Sequence, residues 1–478
     1  MKKEKGVVDK KEMENTQIFK RYLNPNKLQE IEEGKEGKEA FFNLIETIPR
    51  NLTEEAFNEA VADLIIEYTH MVMLKSTKGV YIYNYTTHRW ESKGEIWLQR
   101  LVYEVTKSVD ETNLWYRERN TCEHIKRKLC MLETFSDDYL VLTNGTFDRR
   151  TGEIIESQSN HYAHFFSTVV YDSEKKCARF LQFLNEVFYS DQSTIAFVQE
   201  WFGYVLLSSH HANAFLIGYG SGANGKSLLF ALLAKLVGEC NTSSSGISAF
   251  QSRFGMEVMH NKLLNLATES DVNSFETATL KAVTAGEPIT LNRKGIKEIT
   301  CILPTKFIFL MNHLPLITDS SYGFSRRLLI LPFPRTFRPE EQDPFLLEKM
   351  TLELSGILNF ALEGAKRLIK NGYQFTISDL MHEPKEQFLG CVHPLSYFKA
   401  HYLSKNPTRK VESNLLFQTF QKMLKETNWS ARQYGTLRSF NKGLIELFEA
   451  EGFVISIKKS NGKTYLSGIV LNQSIQEL

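Results

Sequence analysis

Residues 215–230 read FLIGYGSGANGKSLLF and place Gly220, Gly222 and Gly225, followed by a lysine, between two apolar runs. The part from Gly220 to Ser227 fits the pattern G-x-x-x-x-G-K-[ST], which predicts a phosphate-binding loop between a strand and a helix. Glycines allow positive φ angles, so backbone N–H groups can converge on a phosphate. The start of the following helix adds a partial positive charge. The chain is therefore predicted to bind a nucleoside triphosphate.

This loop assigns roles to individual residues. Lys226 is expected to reach the β- and γ-phosphates, and the Ser227 hydroxyl to bind Mg²⁺. The predicted nucleotide-binding residues are Gly220, Gly222, Ala223, Asn224, Gly225, Lys226, Ser227 and Leu228.

Three later segments carry polar residues at the ends of apolar runs. KLLNLATESDV ends in Glu269, followed by Asp271, and a carboxylate there can hold Mg²⁺ and polarise a water. TKFIFLMNHLP ends in Asn312, whose amide could orient the attacking water. GFSRRLLILPF carries Arg326 and Arg327 before an apolar run, where an arginine can reach the γ-phosphate of a neighbouring subunit.

Length and composition limit the number of domains and the class of protein. A chain of 478 residues is expected to form two or three domains. Because the net charge is +1, any surface that binds nucleic acid must be local. No apolar run is long enough for a membrane span, and no signal sequence is expected. The six scattered cysteines predict small thiols in a reducing cytoplasm rather than a metal site.

The pattern along the chain predicts four regions. The spacing of apolar residues is helical over 57–74, strand-like at KGVYIYNYTTHRW, and helical again in two segments over 178–207. EPKEQFLGCVHP, residues 383–394, indicates a linker, and Asn461-Gly462 a hairpin turn. The predicted regions are a flexible charged tail (1–40), an α+β domain (41–177), an α/β domain with two leading helices (178–380) and a small C-terminal domain (390–478).

In this order, the motifs resemble those of superfamily 3 helicases. The closer resemblance is to the helicase part of phage and plasmid primase-helicases, including the replication proteins of integrated mobile islands. It extends upstream through GVYIYNYTTHRW, LTNGTFDRRTGE and QEWFGYVLL, and covers roughly residues 65–340 on motif grounds.

The resemblance implies an α/β fold with an AAA+-type P-loop ATPase core, a mixed N-terminal domain and a winged-helix-like C-terminal domain. It implies ATP and Mg²⁺ as cofactors, Glu269 as the Walker B acid and magnesium ligand, Asn312 as the sensor, and Arg327 as the arginine that acts in trans. Arg326 remains the alternative. Many members carry two adjacent acids where this chain has Thr268-Glu269. Whether Asp271 shares the role of Glu269 therefore stays open.

Two basic segments are candidates for DNA contact. Residues 281–306 hold five cations and two acids, a net of +3, and resemble the channel hairpin of the family, with Arg293, Lys294 and Lys297 as candidate contacts. Residues 396–478 hold twelve cations and six acids, a net of +6. There Lys458, Lys459 and Lys463 would contact phosphates in a winged helix, although such a domain can equally bind protein.

Together these features predict a ring-forming, ATP-driven DNA helicase that replicates a mobile genetic element. A hexamer is expected, with single-stranded DNA in its channel and duplex origin DNA at the C-terminal domain. A separate primase or polymerase is the expected partner, since the first 200 residues lack an Asp-x-Asp pair and a zinc ribbon. The alternative is an origin-binding initiator whose ATPase drives assembly only. A P-loop kinase fits the Asn312 and Arg327 segments poorly.

Overall fold

The computed structural model describes residues 21–29, 41, 44–45, 47–49, 51–92, 94–109, 114–268, 277–312, 322–392, 394–426, 434–449, 452–460 and 462–472. The chain divides into two compact units, Met1–Ser173 and Glu174–Leu478. None of the described helices has the length and apolar character that a membrane-spanning helix requires.

The first unit combines helices with two four-stranded sheets. Its helices are α1 (Pro25–Gln29), α2 (Glu54–Tyr68), α3 (Gly94–Val109) and α4 (Leu114–Lys128). One sheet has the order β3-β2-β1-β4 and is formed by β1 (Met71–Leu74), β2 (Val80–Asn84), β3 (Arg89–Glu91) and β4 (Cys130–Leu132). The other has the order β7-β6-β5-β8 and is formed by β5 (Ser136–Leu142), β6 (Gly145–Asp148), β7 (Glu153–Ile155) and β8 (Ala163–Phe166).

The predicted helical spacing over 57–74 is correct only as far as Tyr68. Helix α2 starts where the Thr53 hydroxyl accepts a hydrogen bond from Ala56 N–H. Residues 71–74 instead form β1, which pairs antiparallel with β2 and parallel with β4. A short apolar run fits a buried helix and a buried strand equally well, and pairing partners elsewhere in the chain decide between them.

The second unit is built on a five-stranded sheet. In chain order its helices are α5 (Ala178–Val187), α6 (Gln192–Leu206), α7 (Lys226–Val237), α8 (Thr277–Thr284), α9 (Tyr322–Ser325), α10 (Leu346–Thr351), α11 (Leu354–Lys370), α12 (Asp379–Val392), α13 (Pro394–Tyr402), α14 (Ser413–Glu426) and α15 (Leu437–Glu449). Its strands are β9 (Phe215–Tyr219), β10 (Thr242–Ser243), β11 (Leu264–Thr268), β12 (Ile289–Arg293), β13 (Ile296–Cys301), β14 (Lys306–Met311), β15 (Leu328–Pro332), β16 (Leu403–Glu412), β17 (Ser456–Ser460) and β18 (Lys463–Leu471).

The sheet has the strand order β10-β11-β14-β9-β15, and every neighbouring pair in it is parallel. Strands β14 and β15 are buried throughout, as strands of a parallel sheet covered on both faces are. Because all five strands run the same way, the residues that follow β9, β11 and β14 meet at one edge. The predicted α/β class is confirmed in this sheet.

Helices α6 and α11 pack closely through two glycines and one buried carboxylate. A Cβ atom on Gly203 would lie 2.3 Å from Ala365 N, and one on Gly364 would lie 1.9 Å from Gln199 O. Glu200, fully buried on α6, accepts hydrogen bonds from Arg367 Nε at 2.6 Å and from Thr376 N at 2.7 Å. The two helices are therefore held together by close backbone contact and by a buried ion pair.

The predicted basic hairpin is present. Strands β12 and β13 pair antiparallel, and the turn between them contains Gly295 at φ 73°. The hairpin follows helix α8 in the chain, and its second strand, β13, leads after a short connection into the core strand β14.

The last elements form a compact group with its own apolar core, which includes Phe398, Phe420, Phe440 and Leu466. Their order is helix α13, strand β16, helices α14 and α15, then the hairpin of β17 and β18. The three strands form an antiparallel sheet of order β16-β18-β17. The predicted hairpin is confirmed, with Gly462 at φ 72°, while Asn461 lies outside the described residues.

The segment 383–394, which the sequence predicts as a linker, is helical over residues 383–392, within helix α12. Pro384 lies inside this helix and removes one N–H donor, which is why the sequence indicates a break. Met381 is buried and α12 packs against β15, so tertiary contacts stabilise a helix that its own sequence disfavours.

Candidate nucleotide site

The glycine loop connects β9 to α7 in the way the motif predicts. Gly222, Ala223 and Gly225 have φ angles of 104°, 48° and 86°. Gly225 is also required by packing, because a Cβ atom there would lie 2.9 Å from Phe183 Cζ. Helix α7 begins at Lys226, so its first N–H groups point into the loop, where an anion can accept them.

Lys226 and Asn312 lie together, although they are far apart in the chain. Lys226 Nζ donates to Asn312 Oδ1 at 3.1 Å, to Asn224 Oδ1 at 3.1 Å and to Gly220 O at 2.6 Å. Strand β14 lies between β9 and β11 in the sheet, and this order places Asn312, at the end of β14, beside the loop.

A cavity of about 460 Å³ opens over the loop. Of the predicted nucleotide-binding residues, the seven from Gly222 to Leu228 line it, whereas Gly220 is not among the lining residues. Asn312 and Thr268 line it as well. Glu269 directly follows Thr268 in sequence, but Glu269 and Asp271 lie outside the described residues.

The donors around the cavity fit a triphosphate with Mg²⁺. The ammonium of Lys226 and the N–H groups at the start of α7 suit phosphate oxygens, and the exposed Ser227 hydroxyl suits a hard cation. The buried Asn224 Nδ2 has no hydrogen-bond partner within the structure. Within the described part of the chain, no cluster of three His, Cys, Asp or Glu side chains forms a metal site by itself.

The far wall of the cavity comes from residues that the motifs did not reveal. Phe183, Arg179 and Phe337 line it, together with Asp343. Phe337 N–H donates to Ala223 O at 2.8 Å, which ties the segment after β15 to the loop. The Lys349 ammonium, which donates to the Asp343 carboxylate, holds the pKa of Asp343 below its usual value. The sequence signal for Phe337 is the aromatic and basic stretch PFPRTF, which begins at the last residue of β15, whereas Arg179 and Phe183 lie on helix α5.

Arg326 and Arg327 lie at the opposite edge of the sheet. They precede β15, which pairs with β9 from Leu328 opposite Phe215 to Pro332 opposite Tyr219. Neither arginine lines the loop cavity. Arg327 is buried and its Nη1 donates to Gly323 O at 2.7 Å, whereas Arg326 is exposed. Burial lowers the pKa of Arg327, and the charge of Arg326 lowers it further.

The three candidate DNA-contacting cations of the hairpin differ in side-chain exposure and hydrogen bonding. Arg293 donates from Nε and Nη2 to Lys297 O, which braces the turn. The side chains of Lys294 and Lys297 are exposed, and Lys294 N–H donates to Glu257 Oε2 at 3.2 Å. Lys306, counted in the basic balance of this segment, is buried with its ammonium 4.8 Å from the Tyr204 ring centroid. It therefore adds no charge to the surface.

The cations of the C-terminal hairpin are also on the surface. Lys458 and Lys459 are exposed on β17. Lys463 forms an ion pair with Glu412 at 2.9 Å, so part of its charge is compensated. Of this set, Lys458 and Lys459 are the more available for a phosphate.

Two family models match parts of the chain. Residues 62–189 match the family described as D5 N terminal like, and residues 218–327 match a family of unknown function, DUF5906. The first match agrees with the predicted resemblance to phage and plasmid replication proteins. The second spans the glycine loop, Asn312, and Arg326 and Arg327.

Solved structures of one protein are similar to this chain. The apo structure of the NrS-1 C terminal region (305–718) is 14% identical, with a TM-score of 0.48, and the match covers 88% of this chain and 100% of that chain. Two A-form apo structures of the same region have TM-scores of 0.47 at 14% identity, cover 88% and 87% of this chain, and are themselves covered in full.

Proposed function

We propose that the chain is an ATP-dependent replicative DNA helicase of a mobile genetic element that works as a ring, expected to be a hexamer. The observation that carries the proposal is the bond between Lys226 and Asn312 at the mouth of the glycine-loop cavity. It joins the lysine that is expected to bind phosphate to an amide whose hydrogen-bond partners would change when the γ-phosphate is present. The AAA+-type core is supported by the parallel sheet that positions both residues.

Nucleotide binding changes the partners of Lys226. A triphosphate in the cavity attracts the ammonium more strongly than an amide oxygen does, because that hydrogen bond is formed between two charged groups. Asn312 is then free to orient a water against the γ-phosphate. Ser227 and Glu269 would hold Mg²⁺, and the ion would supply positive charge against the β- and γ-phosphates.

The basic hairpin proposed to contact DNA is connected to the Asn312 amide through the β-strand β14. Strand β14 ends at Met311, directly before Asn312, and begins five residues after β13 ends at Cys301. A shift of Asn312 with the state of the nucleotide can therefore pass along β14 to the hairpin. The exposed Lys294 and Lys297 would then move a bound DNA backbone along the channel.

Replacing Lys294 by alanine is expected to abolish strand displacement and the stimulation of ATP turnover by single-stranded DNA. Loss of one phosphate contact should reduce the slope of log affinity against log salt by about 0.7 per subunit. Lys294→Arg keeps the charge and should retain unwinding. Both variants are compared in a fork-unwinding assay, with turnover in the absence of DNA as the measure of an intact nucleotide site. Normal unwinding by Lys294→Ala would remove this residue from the DNA path.

The second candidate function is an origin-binding initiator that assembles on duplex DNA without unwinding it. It is supported by the order of the C-terminal elements, helix, strand, two helices and a hairpin, which is the order expected of a winged helix, and by the exposed Lys458 and Lys459 on that hairpin. ATP-dependent displacement of a DNA strand by the purified chain decides between the two. Displacement supports the helicase, and ATP-dependent assembly without displacement supports the initiator.

A further inference from the structure

The first unit contains a cavity of about 350 Å³ that shares no lining residue with the nucleotide cavity. It is lined by residues of the sheet β3-β2-β1-β4, among them Trp90 on β3 and His70 directly before β1, and by Asn160 and Tyr162 in the turn before β8. Trp90 pairs with Tyr83 on β2, and Tyr83 N–H donates to His70 O at 2.9 Å, so these three residues lie side by side. The volume falls within the range of small-molecule sites, about 300–1,000 Å³.

Two stacked aromatic rings line this cavity. The Trp90 indole and the Tyr162 ring have planes 23° apart and centroids 5.6 Å apart. At this separation stacked rings are displaced sideways, so part of each face stays uncovered. Ser159 O accepts hydrogen bonds from Trp90 Nε1 at 3.2 Å and from Tyr162 N–H at 3.1 Å, so one carbonyl positions both rings. An aromatic pair fixed in this way provides a surface on which another flat ring can stack.

The polar groups available in the cavity are neutral. His70 Nδ1 is hydrogen-bonded to the Tyr85 hydroxyl at 2.8 Å, whereas His70 Nε2 has no hydrogen bond with another described residue. Burial lowers the pKa of His70, so its imidazole is neutral at pH 7. The Asn160 carboxamide is exposed and makes no hydrogen bond within the described part of the chain. The imidazole and the amide together offer donors and acceptors, as the edge of a nucleobase requires.

The charge around the cavity does not suit a free nucleotide. Of the described residues that line it, none is a carboxylate, and the single lysine or arginine is Lys128. Lys128 Nζ donates to Glu59 at 2.9 Å and to Asp63 at 2.7 Å, so its charge is already compensated. A triphosphate carries several negative charges and needs uncompensated cations. A nucleotide within a strand carries one phosphate charge, which can stay in the solvent while its base enters the cavity.

We propose that this cavity binds an unstacked base of single-stranded DNA. Trp90 and Tyr162 form the surface on which the base stacks, and His70 and Asn160 are the hydrogen-bonding partners of its edge. The inference rests on the proposed function only for the choice of a DNA strand as the ligand. It gives the chain a contact with DNA that differs in chemistry from the basic hairpin, because it recognises bases rather than phosphates.

Salt separates this contact from phosphate contacts. Affinity that depends on lysines falls with log salt at a slope of about −0.7 per contact, whereas stacking and hydrogen bonds between neutral groups keep their strength. At about 0.5 M salt a base-dependent part of the binding should therefore remain. The measurement compares the affinities of the full chain, without nucleotide, for an unstructured oligonucleotide of mixed sequence and for one of equal length whose residues are all abasic. We expect the first to bind about tenfold more tightly.

Variants of the lining residues assign this ratio to the cavity. Tyr162→Ala should bring the ratio close to one, whereas Tyr162→Phe keeps the ring and should keep the ratio. Asn160→Ala removes an exposed side chain and should lower the ratio about threefold through the loss of one hydrogen bond. Tyr116→Ala is the matched control, because Tyr116 is an exposed tyrosine of α4 that does not line the cavity. Its ratio should equal that of the unaltered chain.

A cross-link locates the base without any substitution. An oligonucleotide that carries 5-iododeoxyuridine is irradiated in complex with the unaltered chain, and the modified residue is identified by mass spectrometry. Modification of Trp90 or Tyr162 is the expected result. Modification confined to the hairpin of β12 and β13 would place the bases there and overturn the inference.

The remaining outcomes separate the inference from the proposed function. Equal affinity of the unaltered chain for the two oligonucleotides, or a ratio that neither Tyr162→Ala nor Asn160→Ala changes, overturns the inference. Binding of free deoxyadenosine that Tyr162→Ala abolishes, without base-dependent binding of the oligonucleotide, would assign the cavity to a small ligand and overturn it too. Absence of ATP-dependent strand displacement contradicts the proposed function, whereas base-dependent affinity measured without ATP still supports the site.

Discussion

Replacing Lys226 by alanine is expected to reduce ATP turnover by about a hundred- to a thousandfold and to abolish DNA unwinding. The substitution removes the ammonium that we propose binds the β- and γ-phosphates, and charge stabilisation of this kind in a preorganised site contributes about 3–4 kcal/mol to catalysis. It also removes the partner of Asn312 and Asn224 in the loop. Phosphate release and nucleotide affinity, measured on the purified chain, should both fall.

A lysine of the same helix provides the control. Lys235 lies in the last turn of α7 and pairs with Glu239 at 3.0 Å on the surface. Lys235→Ala should leave turnover within about twofold, because an exposed ion pair contributes little. Near-normal turnover by Lys226→Ala would place the nucleotide elsewhere and end the helicase hypothesis in its present form.

Replacing Glu200 by alanine is expected to lower the free energy of unfolding of the second unit by about 3 kcal/mol. Glu200 is fully buried and accepts hydrogen bonds from Arg367, Thr376 N–H and the Thr376 hydroxyl. Removing one partner of a buried ion pair leaves the other charge buried and unpaired, which typically costs about 3–5 kcal/mol. The lower part of this range applies because the Arg367 side chain is 35% exposed.

The measurement is the midpoint of urea unfolding followed by circular dichroism. Glu363→Ala is the matched control, because Glu363 accepts a hydrogen bond from Gln199 across the same two helices but on the exposed side. Its effect should stay below about 0.5 kcal/mol. Glu200→Gln, which keeps the shape and the acceptor oxygen, should lie between the two. Equal midpoints for the Glu200 and Glu363 variants would show that the buried carboxylate does not stabilise the helix pair.

Local patterns predicted the elements whose geometry depends on neighbouring residues. The glycine loop was predictable because positive φ angles at Gly222 and Gly225 belong to a short motif. The two hairpins were predictable because each turn contains a glycine between β-prone runs. The strand at 71–74 and the helix over 383–392 were not predictable, because the structure of each depends on contacts with residues distant in the chain. The roles of Glu269 and Asp271 remain predictions from the sequence.

The sequence by itself determined the glycine loop between a strand and a helix, the apolar strands of the sheet and the basic hairpin, since these depend on glycine, alternation and charge over short stretches. Only the tertiary structure decided that Lys226 contacts Asn312, that Phe183 and Phe337 line the cavity, and that Arg327 is buried while Arg326 is exposed. The physical reason is that burial and contact depend on the order of strands in the sheet, which no local pattern of residues contains.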